Sequence, residues 1–140
     1  MTTPTGPRIL ESAVYVDDLD KAAAFYGGIL GLEEIRRGGN RHIFYRSGAG
    51  VLLLFNPEET KVPPEADQLP VPPHGTTGPG HLCFRATAEE LVAWQRHLED
   101  NGVAIESEVE WPNGGRSIYF RDPAGNSLEF AEARIWGIKD

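Results

Sequence analysis

Glu11, His81 and Glu129 are the residues of this 140-residue chain whose types and placement could do chemistry together. Glu129 stands in "RSIYFRDPAGNSLEF", residues 116–130, between Leu128 and Phe130. Strand alternation puts Leu128 and Phe130 on one face and Glu129 on the other. His81, in "GHLCF", has the same relation to Leu82 and Phe84. Glu11 takes the corresponding place in the N-terminal strand, with Ala13 and Tyr15 on its face. An imidazole and two carboxylates converging in a partly dry hollow need a cation or protons between them, because bare carboxylates repel. A divalent metal relieves that repulsion directly. Histidine with oxygen ligands suits Fe(II), Mn, Ni, Co or Zn, and three protein ligands leave positions open for substrate or water. No local motif such as His-x-x-x-His joins the three residues; a repeat groups them.

Residues 38–55, "GGNRHIFYRSGAGVLLLF", lie over residues 113–130, "NGGRSIYFRDPAGNSLEF", without a gap. The overlay matches Arg41 with Arg116, Ile43 with Ile118, Leu53 with Leu128 and Phe55 with Phe130. It also sets Leu54 opposite Glu129, so the hollow has four corners: Glu11, Leu54, His81 and Glu129. Upstream, each copy carries a short strand, a capped amphipathic helix and a glycine stop. Asp17 or Asp18 caps the first helix. Thr87 and Glu90 make the Thr-x-x-Glu capping box of the second. Leu32–Ile35 and Val103–Val109 read as second strands. The fold class is therefore α+β, with two βαβββ modules forming a curved mixed sheet around a central cup. One domain of residues 1–140 is expected: module 1 at about 8–56, a Pro/Gly-rich linker at 57–79 that reads as neither helix nor central strand, module 2 at about 80–132, and a packed tail at 133–140 anchored by Ile135 or Trp136.

The net charge of −8 excludes nucleic acid as a natural partner, since phosphate binding needs a basic face. The longest strongly apolar run, "VLLLF", is too short to cross a bilayer. A single cysteine, Cys83, allows no internal disulfide and fits a reducing compartment. The stretch "MTTPTGPR" has no apolar core of a secretory signal. These features point to a cytoplasmic protein with no membrane partner.

The segments "VYVDDLDKAAAFYGGILGLE", "GPGHLCF" and "YFRDPAGNSLEF" resemble the vicinal oxygen chelate superfamily, the glyoxalase/bleomycin resistance protein/dioxygenase group. The resemblance implies ligand positions on the first and last strands of each half: Glu11, His81 and Glu129, with Leu54 at a fourth position that cannot ligate. It implies a divalent metal, a small-molecule substrate and a homodimer, with the modules paired within one chain or exchanged between two. Of the three ligands, Glu11 or Glu129 would double as the catalytic base. Phe44, Leu54, Trp111 and Tyr119 would wall the substrate, with Arg116 and His74 as polar contacts. The expected function is a metal-dependent enzyme acting on a small oxygenated metabolite or xenobiotic by lyase or isomerase chemistry. The alternatives are a metal-free sequestering protein of the bleomycin-resistance kind and an Fe(II)-dependent ring-cleaving dioxygenase.

Overall fold

The computed structural model describes residues 6–139; residues 1–5 of the N-terminal stretch and Asp140 of the tail lie outside it. The first module runs β1 (Glu11–Tyr15), α1 (Leu19–Ala23), a π-helical turn (Ala24–Ile29), β2 (Glu33–Gly38), β3 (His42–Ser47) and β4 (Gly50–Phe55). A one-turn helix, α2 (Pro57–Thr60), opens the linker, where the sequence suggested no helix. The second module runs β5 (His81–Arg85), α3 (Ala88–Asp100), β6 (Ser107–Glu110), β7 (Arg116–Arg121) and β8 (Ser127–Ala131), and a 3-10 turn (Ala133–Trp136) follows it. The sheets have strand orders β1-β4-β3-β2 and β5-β8-β7-β6. In each, the first strand pairs in parallel with the last and the rest is antiparallel.

Local chemistry explains where the helices begin. Asp18 accepts from the Lys21 backbone N–H and starts α1. Thr87 and Glu90 close the reciprocal capping box of α3, satisfying two N–H groups that have no partner inside the helix. The wider turn at Ala24–Ile29 brings the consecutive Phe25 and Tyr26 both into the core. Leu91 and Leu98 of α3 are buried, and Trp94 stacks on Phe130 with centroids 4.5 Å apart. One continuous core joins both modules, from Val14 and Leu19 to Ile118, Phe120 and Leu128.

The modules are also joined by a buried polar knot. Tyr26 donates to Asp122 Oδ2 at 2.7 Å. Asp122 Oδ1 accepts from the Ala124 and Asn126 backbones. The Asn126 amide donates to Asp122 and to the Tyr15 carbonyl, and its oxygen accepts from the Gly80 N–H. The β7–β8 turn thereby ties the end of β1 to the start of β5. These two edge strands flank one another: Ile9, Leu10 and Ser12 share one cleft with residues 82–84, and residues 13–15 share another with residues 78–81.

The ladders correct the register of the repeat. Arg46 pairs with Val51 across four residues, 47–50, whereas Arg121 pairs with Ser127 across five, 122–126. The gapless overlay holds through β3 and β7, then runs one residue out of step in the last strand. A slip of one residue exchanges the two faces of a strand. Ala13 and Phe44 pair with Leu53, as Cys83 and Tyr119 pair with Glu129. Leu53, not Leu54, is thus the counterpart of Glu129. Leu54 points into the helix-side core with no exposed surface and walls no substrate. Phe55 lies on the opposite face from that core and is covered there by the linker, whose His74 ring sits 4.7 Å from it.

Candidate functional site

Alternation in β5, β7 and β8 turns His81, Cys83, Ser117, Tyr119 and Glu129 to one face and Leu82, Phe84, Ile118, Phe120, Leu128 and Phe130 to the core. The site is built on that first face. Glu129 is held there by core residues on either side and is 5% exposed. Its Oε1 lies 3.2 Å from His81 Nε2. The other ring nitrogen, Nδ1, is 2.9 Å from the Ser127 carbonyl oxygen. A carbonyl can only accept, so Nδ1 carries the proton and, in the neutral ring, Nε2 presents its lone pair toward Glu129.

This pair fits a divalent metal. Donor atoms about 2.1 Å from a common ion, at angles between octahedral and tetrahedral, stand roughly 3.0–3.4 Å apart, and the observed 3.2 Å falls in that interval. The backbone carbonyl on Nδ1 is the partner that a ligating histidine ordinarily has. Glu11 is not brought to the pair. It is exposed on β1, and among the described residues no three His, Cys, Asp or Glu side chains assemble into a metal-holding group. Of the three residues expected to converge, His81 and Glu129 stand together in one chain and Glu11 stands apart.

Around the pair opens a hollow of about 500 Å³ lined by His81, Cys83, Trp111, Tyr119, Glu129, Ile135 and Trp136. All of these come from the second module and the tail. Trp111 donates its indole N–H to Ser117 Oγ at 2.8 Å, which fixes the ring at the rim. Burial, then the neighbouring Glu129 charge, raises the Tyr119 pKa, so its hydroxyl stays protonated. Cys83 is open to the hollow, yet the surrounding walls desolvate its thiol. That desolvation, followed by the charge of Glu129, pushes it up to about 12. A thiol held protonated is a poor nucleophile.

The other expected contacts lie elsewhere. Arg116 is on the opposite face of β7 from Ser117 and Tyr119 and pairs with Glu108 at 3.1 Å. His74 packs on the first module, with Nδ1 2.7 Å from the Tyr15 hydroxyl. Phe44 is on the open face of the first module, stacked on His42 at 4.2 Å. Trp111 and Tyr119 line the hollow as expected, but Ile135 and Trp136 enter it from a tail expected only to pack. Trp136 is 79% exposed, so it anchors nothing. Two bulky apolar residues side by side in the short tail, in "ARIWG", were the available signal.

The family model described as the glyoxalase/bleomycin resistance protein/dioxygenase superfamily matches residues 8–130. The chain belongs to that superfamily. Among its superfamily relatives of known structure, the chain is similar to a lactoylglutathione lyase from Agrobacterium tumefaciens, at 40% identity and TM-score 0.91, over 96% of this chain and all of that one. It is also similar to an integron cassette protein from the mobile metagenome of the Halifax Harbour sewage outfall, at 28% identity and TM-score 0.69, covering 89% and 97% of the two chains. The glutathione transferase FosA of Serratia marcescens is 27% identical over 114 residues, which is 81% of this chain and 72% of that protein. Superfamily membership accounts for the two 4-stranded mixed sheets and their parallel outer pairing. Among the described residues, no helix is long and apolar enough to cross a membrane.

Proposed function

We propose that this superfamily member is a metal-dependent enzyme that acts on a small oxygenated molecule by lyase or isomerase chemistry. The observation that carries the reading is the His81–Glu129 pair, with its 3.2 Å donor spacing and fixed tautomer. His81 and Glu129 would hold the metal, and the partner's Glu11 would complete the set in a homodimer that exchanges modules. Two facts support the exchange: Glu11 is exposed in its own chain, and among the described residues the hollow is lined by the second half alone. A bound divalent ion would supply Lewis-acid stabilisation of a developing enolate or alkoxide oxygen.

The chain's own groups do the rest. Glu129, almost closed off from water, takes a proton from the carbon beside the substrate's carbonyl. The Tyr119 hydroxyl, kept protonated, donates a hydrogen bond at the same wall. Trp111 and Ile135 exclude water from the reacting face. The names of the lyase and transferase relatives agree with an enzyme. The single cysteine of the sequence, and the absence of a long apolar helix among the described residues, agree with a cytoplasmic setting.

Mixed dimers test the assembly. With module exchange, combining Glu11→Ala chains with Glu129→Ala chains rebuilds one intact site per heterodimer and restores metal uptake that neither parent shows. No recovery would place all ligands in one chain. Solvent deuterium exchange into α-hydroxy ketones tests the chemistry. Wild-type protein should exchange the α-hydrogen and Glu129→Gln should not; equal exchange by both would remove Glu129 as the base. A metal-free binding protein is the second reading, favoured by the unassembled position of Glu11. It predicts ligand binding that is unchanged by chelators.

A further inference from the structure

The linker between the modules is a shaped loop with a hollow of its own. Its two ends are tied together, the His74 N–H donating to the Thr60 carbonyl at 3.0 Å. Both ends are also fastened to the first module. Asn56, which caps α2, donates from its side-chain amide to the Asn40 carbonyl at 3.1 Å and from its backbone N–H to the Arg41 carbonyl at 2.9 Å. His74 lies on Tyr15 and Phe55. Between these ties, the five prolines of residues 61–73 restrict the backbone. The loop borders a cavity of about 460 Å³, within the size range of small-molecule sites. Val62, Leu69 and Val71, with prolines, supply its apolar wall. These three side chains are 58%, 81% and 48% exposed, so an apolar ligand would find uncovered area there.

The one cation in that wall is Arg41, and it differs from the other cations of the described residues. Arg37, Arg46, Lys61, Arg116, Arg121 and Arg134 each meet a carboxylate. Arg8, Lys21, Arg36, Arg85, Arg96 and Lys139 are exposed. Arg41 is half-buried, yet it pairs with no carboxylate among the described residues, although the chain carries a net charge of −8. Its guanidinium is positioned without an acid. The central carbon stands 5.5 Å from the centre of the Phe55 ring, and Nη1 donates to His42 Nδ1 at 2.8 Å. A guanidinium has five N–H donors, so most of the fork is left over. Such a fork meets a carboxylate with two parallel hydrogen bonds. Glu59 lies in the same wall, which suits one negative charge on the ligand rather than the two of a phosphate monoester.

We propose that the linker cavity binds a small monocarboxylate with an apolar body, its carboxylate on Arg41 and its body against Val62, Leu69 and Val71. None of these residues lines the His81–Glu129 hollow, so binding here does not require the metal.

Four probes separate the charge from the body: 3-phenylpropanoate, 3-phenylpropan-1-ol, 3-phenylpropylammonium and acetate. Each is titrated into the full chain, with and without chelator, by calorimetry and by NMR. 3-Phenylpropanoate should bind about tenfold or more tighter than the other three. It should shift the methyl signals of Val62, Leu69 and Val71 and the ring signals of His42, equally with and without chelator. Arg41→Gln should weaken it about tenfold, while Arg46→Gln, which removes the same charge from the Glu33 pair, should leave it unchanged. Arg41→Lys, which keeps the charge and loses the fork, should fall between wild type and Arg41→Gln. Equal binding of the acid and the alcohol, or an affinity unchanged in Arg41→Gln, overturns the proposal. So does binding that chelator abolishes, or shifts confined to Trp111 and Tyr119, either of which would put the acid in the other hollow.

Discussion

Replacing Leu54 and Leu53 in turn tests which face of β4 looks at the open side. Leu54 has no exposed surface and belongs to the core shared by both modules. Truncating such a leucine to alanine removes its burial and leaves a cavity, at a cost of about 2–5 kcal/mol. Unfolding entropy of about 2.1 cal/mol/K per residue gives roughly 0.3 kcal/mol/K for a chain of this length. Leu54→Ala should therefore lower Tm by roughly 7–17 °C. Leu53 is half-buried on the opposite face, beside Ala13 and Phe44. Leu53→Ala should cost less than half as much. A charge separates the two further: Leu53→Glu puts a carboxylate at the counterpart of Glu129 and should still fold, whereas Leu54→Glu buries an unpaired charge and should not. Circular dichroism melts at one protein concentration measure all four variants. If Leu53→Ala is the more damaging change, the register derived from the turn lengths is wrong, and Leu54 returns to the site.

Tyr26→Phe removes a hydrogen bond to a buried carboxylate. It should cost about 1.5–3 kcal/mol in denaturant titrations, with Asn126→Ala similar because both cut the knot joining the modules. Thr87→Ala should cost about 1 kcal/mol through loss of the α3 cap. Burial, then Arg41 and Arg36, lowers the His42 pKa, so NMR titration should find its midpoint below the ordinary histidine value. The sign follows: unfolded chains bind this proton more readily, so the contribution of His42 is full above the unfolded pKa of about 6.5 and is lost as pH falls below it. His42→Phe should flatten that part of the stability profile, and a profile unchanged by the substitution would remove His42 as its source.

The paired modules were legible because helix period, caps and strand alternation agree at each level. His81 and Glu129 were legible for the same reason: each is a polar residue flanked by core residues at i−1 or i+1, and parity alone puts both on one face. Leu54 was misplaced because "VLLLF" has no alternation to read, so nothing in the run itself reveals the extra residue in the β7–β8 turn. His74 was unreadable in a different way. Its position depends on the path of a proline-rich linker that folds back over Tyr15 and Phe55, and such a path has no period. Trp136 followed a strand too closely for a tail of its length to suggest more than packing. Glu11 was correctly matched to His81 in strand position, yet strand position does not say which chain completes a hollow.

Metal content of protein purified without a histidine tag tests the central reading most directly. Elemental analysis after dialysis against a mixture of Fe, Mn, Ni, Co and Zn salts should show one equivalent of a divalent metal per chain in the wild type. It should show a near-complete loss in His81→Ala and in Glu129→Ala, with both variants still folded. A wild-type chain that retains no metal, or variants that retain as much as it does, would contradict the ligand pair.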